Sequence, residues 1–369
     1  DSHDVPDAVE LEIGSVAKYF RPPVRDVGLL PLNDLLARSG WIDKIVKARF
    51  APWSKEGVIF GIPHDVHPIA IAYRQDLFTQ AGIDLPAMKT WPQFRDACLR
   101  FQDYWRQRGV PNRHAVEMID SSADQLIPML LQRHLNPIDG EGHIQLTDPR
   151  FADTVAFYAE CVAGPTRIAS QSTAGAGGMT RDLYDGNLCA FFTPDWRADD
   201  IKRFAPEMAG HLRMMPMPVF EPGDARTATW GGTMIGIPRN ARDPQASWKL
   251  VEFLYLSKEG VAARRRYSNI LPPVITMWDD PVYQRRDPYF GGQQIDLLYI
   301  ELAKELPARY VTPATSTATS GLTKVMIDAA DFVEGRRGDH AQLVAQCQAW
   351  LGEVARDVER RIKHGTFDP

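Results

Sequence analysis

The residues of this chain best able to do chemistry gather in short polar stretches set between apolar runs. His64-Asp65-Val66-His67 separates the strand-like Gly57-Val58-Ile59-Phe60-Gly61-Ile62-Pro63 from a second apolar run that ends at Tyr73, and Trp230-Gly231-Gly232 repeats the arrangement ahead of Thr233. A chain that repeatedly passes a polar, aromatic stretch between two α/β bodies is built to close around something small. Metal binding is a poor reading of the histidines. Pro63 and Pro68 preclude helical spacing, and no further Cys/His cluster supplies a third and fourth ligand. Gly175-Ala176-Gly177-Gly178 lacks the Lys-Ser/Thr that follows in a phosphate loop. No metal and no cofactor is expected.

Composition narrows the classes. At 369 residues the chain exceeds the size at which one core stops growing, so two domains are expected. Hydrophobic residues at 44% and charged residues at 24% are globular values, and no run approaches the roughly 18 apolar residues of a membrane span. The 42 Lys and Arg against 47 Asp and Glu give a net charge of −5, and basic residues are scattered apart from Arg264-Arg265-Arg266 and Arg285-Arg286. A nucleic-acid stripe is not supported. The four cysteines allow three full pairings but no C-x-x-C spacing. Cys98, Cys189 and Cys347 read as core thiols, whereas Cys161 stays open. The amino terminus lacks a charged n-region followed by an apolar h-region, which fits either a cytoplasmic protein or one whose targeting segment has been removed.

The elements that must position these residues alternate between helix and strand. Thr90 with Gln93 forms a capping box ahead of an apolar stripe at Phe94, Ala97, Cys98, Phe101 and Trp105. Asp148-Pro149 and Asp243-Pro244 start two more amphipathic helices, the first through Phe151, Val155, Tyr158 and Val162, the second through Trp248, Val251 and Tyr255. The longest helix is predicted over about 340–363, with basic residues at its negative carboxyl end. Short strands are predicted at 8–11, 58–62, 69–73, 188–192 and 233–237. Gly164 to Thr180 and the Thr/Ser-rich Pro313 to Ser320 read as mobile loops.

Read in order, Gly57 to Phe94 ("G-x-x-x-G-I-P … Y-R-x-D-L-F-x-x-A-G-I-D-L-P … T-W-x-x-F"), Tyr184 to Trp196 ("Y-D-G-N-L-C-A-F-F-T-P-D-W") and Trp230 to Pro238 ("W-G-G-T-M-I-G-I-P") resemble the extracytoplasmic solute-binding proteins of ABC sugar importers, the maltose-binding protein group. The resemblance continues through Ala246 to Leu254, Leu271-Pro272-Pro273 and Tyr289 to Gln293. In that family the segment resembling Val5 to Leu11 follows an earlier strand, helix and strand, so the natural protein is expected to be longer.

The resemblance implies a two-lobed α/β periplasmic-binding-protein fold with three interlobe crossings. One lobe would hold 1–66 and 234–287, the other 67–233 and 288–369. It implies a binding protein rather than an enzyme, periplasmic or tethered outside the membrane with its signal peptide removed. The expected partners are the ABC permease subunits and their ATPase, with no nucleic acid and a monomeric state. Closure of the lobes on a mono- or oligosaccharide would be the transport signal.

Sugar recognition combines hydrogen-bonding side chains with aromatic faces that pack on C–H patches. By the resemblance, the ligand-binding candidates are Trp196 with Asp195; Trp230 with Gly231 and Gly232; Asp65 and His67; Asp120, Ser122 and Asp124; Glu12 and Ser15; and, near the third crossing, Gln293 and Tyr289. Each has a structural alternative. Trp196 could cap its own sheet, Trp230 could pack the hinge, and Ser121 or Ser122 could cap the helix before Leu126 to Leu131. Two alternative functions also stand: a hydrolase using paired acids such as Asp65, Asp120 and Asp195, and a binding protein for a non-sugar solute such as a polyamine or polyol.

Overall fold

The computed structural model describes residues 5–170 and 176–367. Two three-stranded antiparallel sheets organise it. The first contains β1 (Val9–Glu12), β2 (Ile62–Pro63) and β6 (Thr233–Gly236) in the order β1-β6-β2, with Val9 opposite Gly236 and Ile62 opposite Ile235. The second sets β3 (Ile69–Arg74) between β4 (Ala190–Pro194) and β5 (Leu212–Pro216). The five residues 64–68 between β2 and β3 are therefore all that carries the chain from one sheet to the other there, and β6 brings it back.

β3 is buried on both faces, and its period-two alternation divides two cores. Ile69, Ile71 and Tyr73 face a large core with the helix α2 (Trp91–Arg106), whereas Ala70 and Ala72 face a smaller one with α8 (Ile295–Ala303). The large core draws on 69–228 and again on 322–355. Two further cores, from 11–62 and 234–277 with Val311 added, surround the first sheet. The smaller core joins Val66, Leu271 and Trp278 to Phe191 and Phe290, so the junction between the sheets is itself packed with apolar side chains.

The predicted helices form for the reasons read from the sequence. Thr90 and Gln93 cap α2 reciprocally, a device worth about 1 kcal/mol, and its whole predicted stripe is buried. Asp148 caps α3 (Pro149–Val162) and Asp243 caps α6 (Pro244–Leu256). The last helix, α10 (His340–His364), starts from an Asp339 capping box and ends at Gly365, whose φ of 63° is one that glycine adopts without strain. Between these lie α1 (Ile13–Tyr19), α4 (Ala176–Asp185), α5 (Asp195–Phe204), α7 (Lys258–Arg265) and α9 (Thr315–Glu334). Among the described residues no helix is long and apolar enough to cross a membrane.

Several expectations are corrected. Thr315 to Ser320 is not a loop but the start of the twenty-residue α9. Thr and Ser are weak helix formers, yet Ala318, Leu322, Val325, Met326 and Ala329 bury one face. Gly321 lets α10 approach so closely that a Cβ there would sit 2.4 Å from a Val354 methyl. Tertiary packing overrides propensity. Within 164–180, Ala169–Ser170 pairs with Val116–Glu117 and α4 begins at Ala176, while 171–175 lie outside the described residues. The strand expected at 58–62 is two: Val58–Ile59 pairs with Ser54–Lys55, and Ile62–Pro63 with β6. β5, rich in methionine and without β-branched residues, went unread. All four cysteines are buried and unpaired, which settles Cys161 as a core thiol.

Candidate ligand-binding site

Trp196 and Trp230 come together. Trp196 is the second residue of α5, placed at the end of β4, and Trp230 stands at the crossing that leads into β6. Their rings lie edge to face, 6.1 Å between centroids, and the Trp196 indole N–H donates to the Trp230 carbonyl at 3.4 Å. Both are only half-buried. Beneath Trp230 lies the ring of Phe192, and Arg197 approaches it at 5.8 Å while forking onto Glu117 at 2.7 and 2.9 Å. A partly open, edge-to-face indole pair held from below is a platform on which an apolar patch of a ligand can rest.

The acidic and imidazole candidates beside it are occupied otherwise. Asp65 and Asp195 have no exposed surface, and His67 is 6% exposed. His67 lies between them, Nδ1 2.6 Å from Asp195 and Nε2 3.1 Å from Asp65. The remaining lone pairs are taken too. Asp65 accepts from the Arg49 guanidinium and the Thr233 N–H, while Asp195 accepts from the Trp196 and Leu271 N–H groups. Arg49 in turn donates to the Thr229 hydroxyl at 2.8 Å. The expected ligand contacts Asp65, His67 and Asp195 are thus corrected to a sealed network that ties the crossings together. Gly232 serves the same network: its φ is +138°, and a Cβ there would meet Arg49 Nη2 at 2.2 Å, so the missing side chain makes room for arginine, not ligand. Gly231, φ +81°, is half-buried beside the platform.

Electrostatics follow from this burial. Desolvation would raise the Asp65 carboxyl, but His67 and Arg49 outweigh it and hold it well below the usual carboxylate range. Desolvation would lower His67, but Asp65 and Asp195 push it up to about 9. His64, mostly desolvated, goes the other way and is lowered.

The polar turn after β1 reaches the same crossing, because Ile13 N–H donates to the Gly232 carbonyl at 3.0 Å. Glu12 there is exposed and Ser15 half-buried. Glu12 spends one oxygen on the Gly14 N–H at 2.7 Å, closing the first turn of α1. Asp120 and Ser122 are half-buried and Asp124 exposed in the turn between Glu117 and Leu126. Ser122 accepts the Asp124 N–H at 3.2 Å, a local turn that leaves the Asp124 carboxylate exposed. The reading missed Arg309. It is half-buried, and the charges acting on it are Arg49, Glu12 and Asp124. Burial and Arg49 pull its pKa down to about 10 against those two acids, leaving a cation at neutral pH. Pro307-Ala308-Arg309-Tyr310 has no periodicity that could have flagged it.

Two candidates do not join this group. The Tyr289 hydroxyl is buried and donates to the Ala205 carbonyl at 2.7 Å, with the Ile201 carbonyl of α5 3.1 Å away. Gln293 grips the edge of β5, accepting from Met214 N–H at 2.7 Å and donating to its carbonyl at 3.0 Å. Both amide ends are spent on the sheet. A groove of about 1220 Å³ runs along α5 at Asp199 and Arg203, but none of the platform residues lines it. At its floor Arg265 is already paired with Asp296 and stacked on Tyr283. Among the described residues no group of three or more His, Cys, Asp or Glu side chains is arranged to hold a metal.

No protein-family model matches the chain. It is 25% identical over 336 residues to an arabinooligosaccharide-binding protein of Halalkalibacterium halodurans, covering 88% of this chain and 71% of that one. It is 24% identical over 260 residues to an arabinooligosaccharide-binding protein of Bacillus subtilis, covering 69% of this chain and little more than half, 57%, of that relative. Among solved structures, the sugar-binding protein MalE of Xanthomonas citri superposes with a TM-score of 0.72 at 20% identity, over 98% of this chain and 86% of that one. An ABC-transporter-associated binding protein of B. animalis subsp. lactis, solved with β-1,6-galactobiose, gives 0.70 at 17%, over 96% and 86%. The fold is that of the two-lobed α/β solute-binding proteins. The resemblance read from the sequence holds as well: the homologues are oligosaccharide-binding proteins, and the structural neighbours include MalE and the binding proteins of ABC transporters.

Proposed function

We propose that this protein binds a mono- or oligosaccharide between its two lobes and delivers it, by lobe closure, to an ABC-type permease and its ATPase outside the cytoplasmic membrane. The lobes in this reading are 1–66 with 234–287 and 67–233 with 288–369, and the protein acts as a monomer. The observation that carries the proposal is the half-buried Trp196–Trp230 pair at a glycine-bearing crossing. In this reading Glu12, Asp124 and Arg309, whose charges act on one another, offer hydrogen-bonding groups to the sugar, with Ser15, Gly231, Asp120 and Ser122 as further contacts. The relatives' names direct the first panel toward arabinooligosaccharides, with galactobiose and maltose beside them.

A hydrolase is disfavoured on physical grounds. Of the three acids that could have formed a catalytic pair, Asp65 and Asp195 are fully buried and spend their oxygens on donors of the protein itself. A general acid must reach the leaving oxygen. Thermal-shift measurement across the panel tests the proposal, since a sugar at 100 times its dissociation constant stabilises the fold by about 2.7 kcal/mol. Saturable stabilisation without product is the expected result. Turnover of any glycan would reject the transport reading, and stabilisation by polyamines alone would move the ligand class.

A further inference from the structure

His67 uses both ring nitrogens on carboxylates, Asp195 at 2.6 Å and Asp65 at 3.1 Å. Either neutral tautomer would set a ring lone pair against a carboxylate oxygen, so this geometry calls for the doubly protonated ring. Its backbone is equally committed: φ is +53°, a left-handed conformation that a non-glycine residue keeps only when its surroundings hold it. From here the contacts run in a closed circuit. Asp195 Oδ1, which His67 holds, also accepts the Trp196 N–H at 2.8 Å. The His67 carbonyl accepts the Trp230 N–H at 3.4 Å, and the Trp230 carbonyl accepts the Trp196 indole N–H at 3.4 Å.

We propose that His67, although it touches no ligand, is the positioning residue of the aromatic platform: its imidazolium, clamped between Asp65 and Asp195, sets the geometry in which Trp196 and Trp230 meet a sugar. The proposal rests on the cleft reading given above. Removing the ring takes one donor from the Asp195 oxygen that also holds the Trp196 N–H at the amino end of α5, and loosens the left-handed turn whose carbonyl accepts the Trp230 N–H. The titratable groups facing the ring are Asp65 and His64 from the same crossing and Asp195 from α5. Arg49 stands on Asp65 from the 47–53 turn, and His64 and Arg264 also act on Asp65. Between its two carboxylates the ring stays protonated up to about 9.

The test uses His67→Asn, which tolerates the left-handed backbone but offers one donor arm instead of two. Indole N–H resonances of Trp196 and Trp230 are recorded without sugar, and affinity is measured with arabinotriose as probe. His67→Asn is expected to displace both indole resonances and to weaken arabinotriose binding roughly tenfold. Wild-type affinity should fall as pH rises through about 9, whereas the variant is flat over that range. Unmoved indole resonances and unchanged affinity in His67→Asn, with binding lost in Trp196→Ala, overturn the positioning role and leave the cleft reading intact. Wild-type binding by Trp196→Ala and Trp230→Ala overturns the cleft reading instead, and the sugar-free resonances still decide whether His67 orients the pair. Should His67→Asn fail to fold, the wild type answers alone: indole shifts that share the midpoint of the His67 ring titration support the proposal, and indole signals indifferent to it refute it.

Discussion

Two regions a few residues apart contrast in how their polar groups are spent. At the crossings, Asp65, His67, Asp195 and Arg49 are buried and satisfy one another. Elsewhere Trp196, Trp230, Glu12, Asp124 and Arg309 keep surface open to solvent, and the two carboxylates keep lone pairs in reserve. A buried charge is tolerable only when paired and hydrogen-bonded, so the first region can hold the lobes' connection but has nothing left for a ligand. A group with a spare lone pair in a partly open position loses little in isolation and gains when a hydroxyl arrives. Residue types alone do not separate the regions, since both contain carboxylates beside a cation.

The contrast is broken most directly at Arg49. Arg49→Ala removes the guanidinium from Asp65, its carbonyl and Thr229 at once, leaving a carboxylate buried with one partner fewer. Loss of a partner from such a pair costs about 3–5 kcal/mol. Urea unfolding should show a loss of that order, and a change under 1 kcal/mol would mean that the crossing network is not a structural lock.

pH sharpens the same point. His67 is raised in the folded protein, so its contribution to stability is fully present below its ordinary value of 6.5 and is lost as pH rises through about 9. The shift corresponds to about 3 kcal/mol. Asp65 is depressed, so its contribution holds above its ordinary 3.8 and disappears as pH falls through its lowered folded value. The stability plateau should therefore run from about pH 4 to about pH 6.5 on this network's account, with the His67 contribution declining between there and about pH 9. Unfolding free energies at pH 7 to 10 should decline in wild type and lack this component in His67→Asn.

Much of the frame was legible. Capping residues such as Thr90, Asp148 and Asp243 act over three or four positions, so their geometry is written locally. The crossings were legible too, because polar residues between apolar strands can only sit where a sheet ends. What escaped was whatever depended on partners far along the chain. Asp65 and Asp195 look like free acids until Arg49 and the Leu271 amide are seen to fill them. Gln293 looks like a sugar contact until β5, itself unread, supplies its other half. Thr315 to Ser320 looked like a loop because the surface that makes it helical belongs to α10 and the large core.

Smaller effects are expected at the open residues. Trp196→Ala removes one half of the platform from a half-buried position, and aromatic anchors of this kind cost about 2 kcal/mol or more in binding. Titration with an arabinooligosaccharide should show that loss while the unfolding midpoint moves little. A large fall in stability with binding intact would place Trp196 with the sealed region.

The mildest change separates the regions most finely. Glu12→Gln and Asp124→Asn replace exposed carboxylates near Arg309 by neutral groups of the same shape. Exposed substitutions of this type shift stability by about 0.5 kcal/mol or less, whereas loss of one ligand hydrogen bond costs about 0.5–1.5 kcal/mol. Binding should therefore weaken by more than folding does, the reverse of Arg49→Ala. Both acids also offset the Arg49 charge that bears on Arg309. Replacing both should leave the Arg309 cation less compensated and make sugar affinity more sensitive to salt, because the residual charge is then screened by ions rather than by neighbours. Equal losses in stability and affinity would instead show that open residues and crossing form one structural unit.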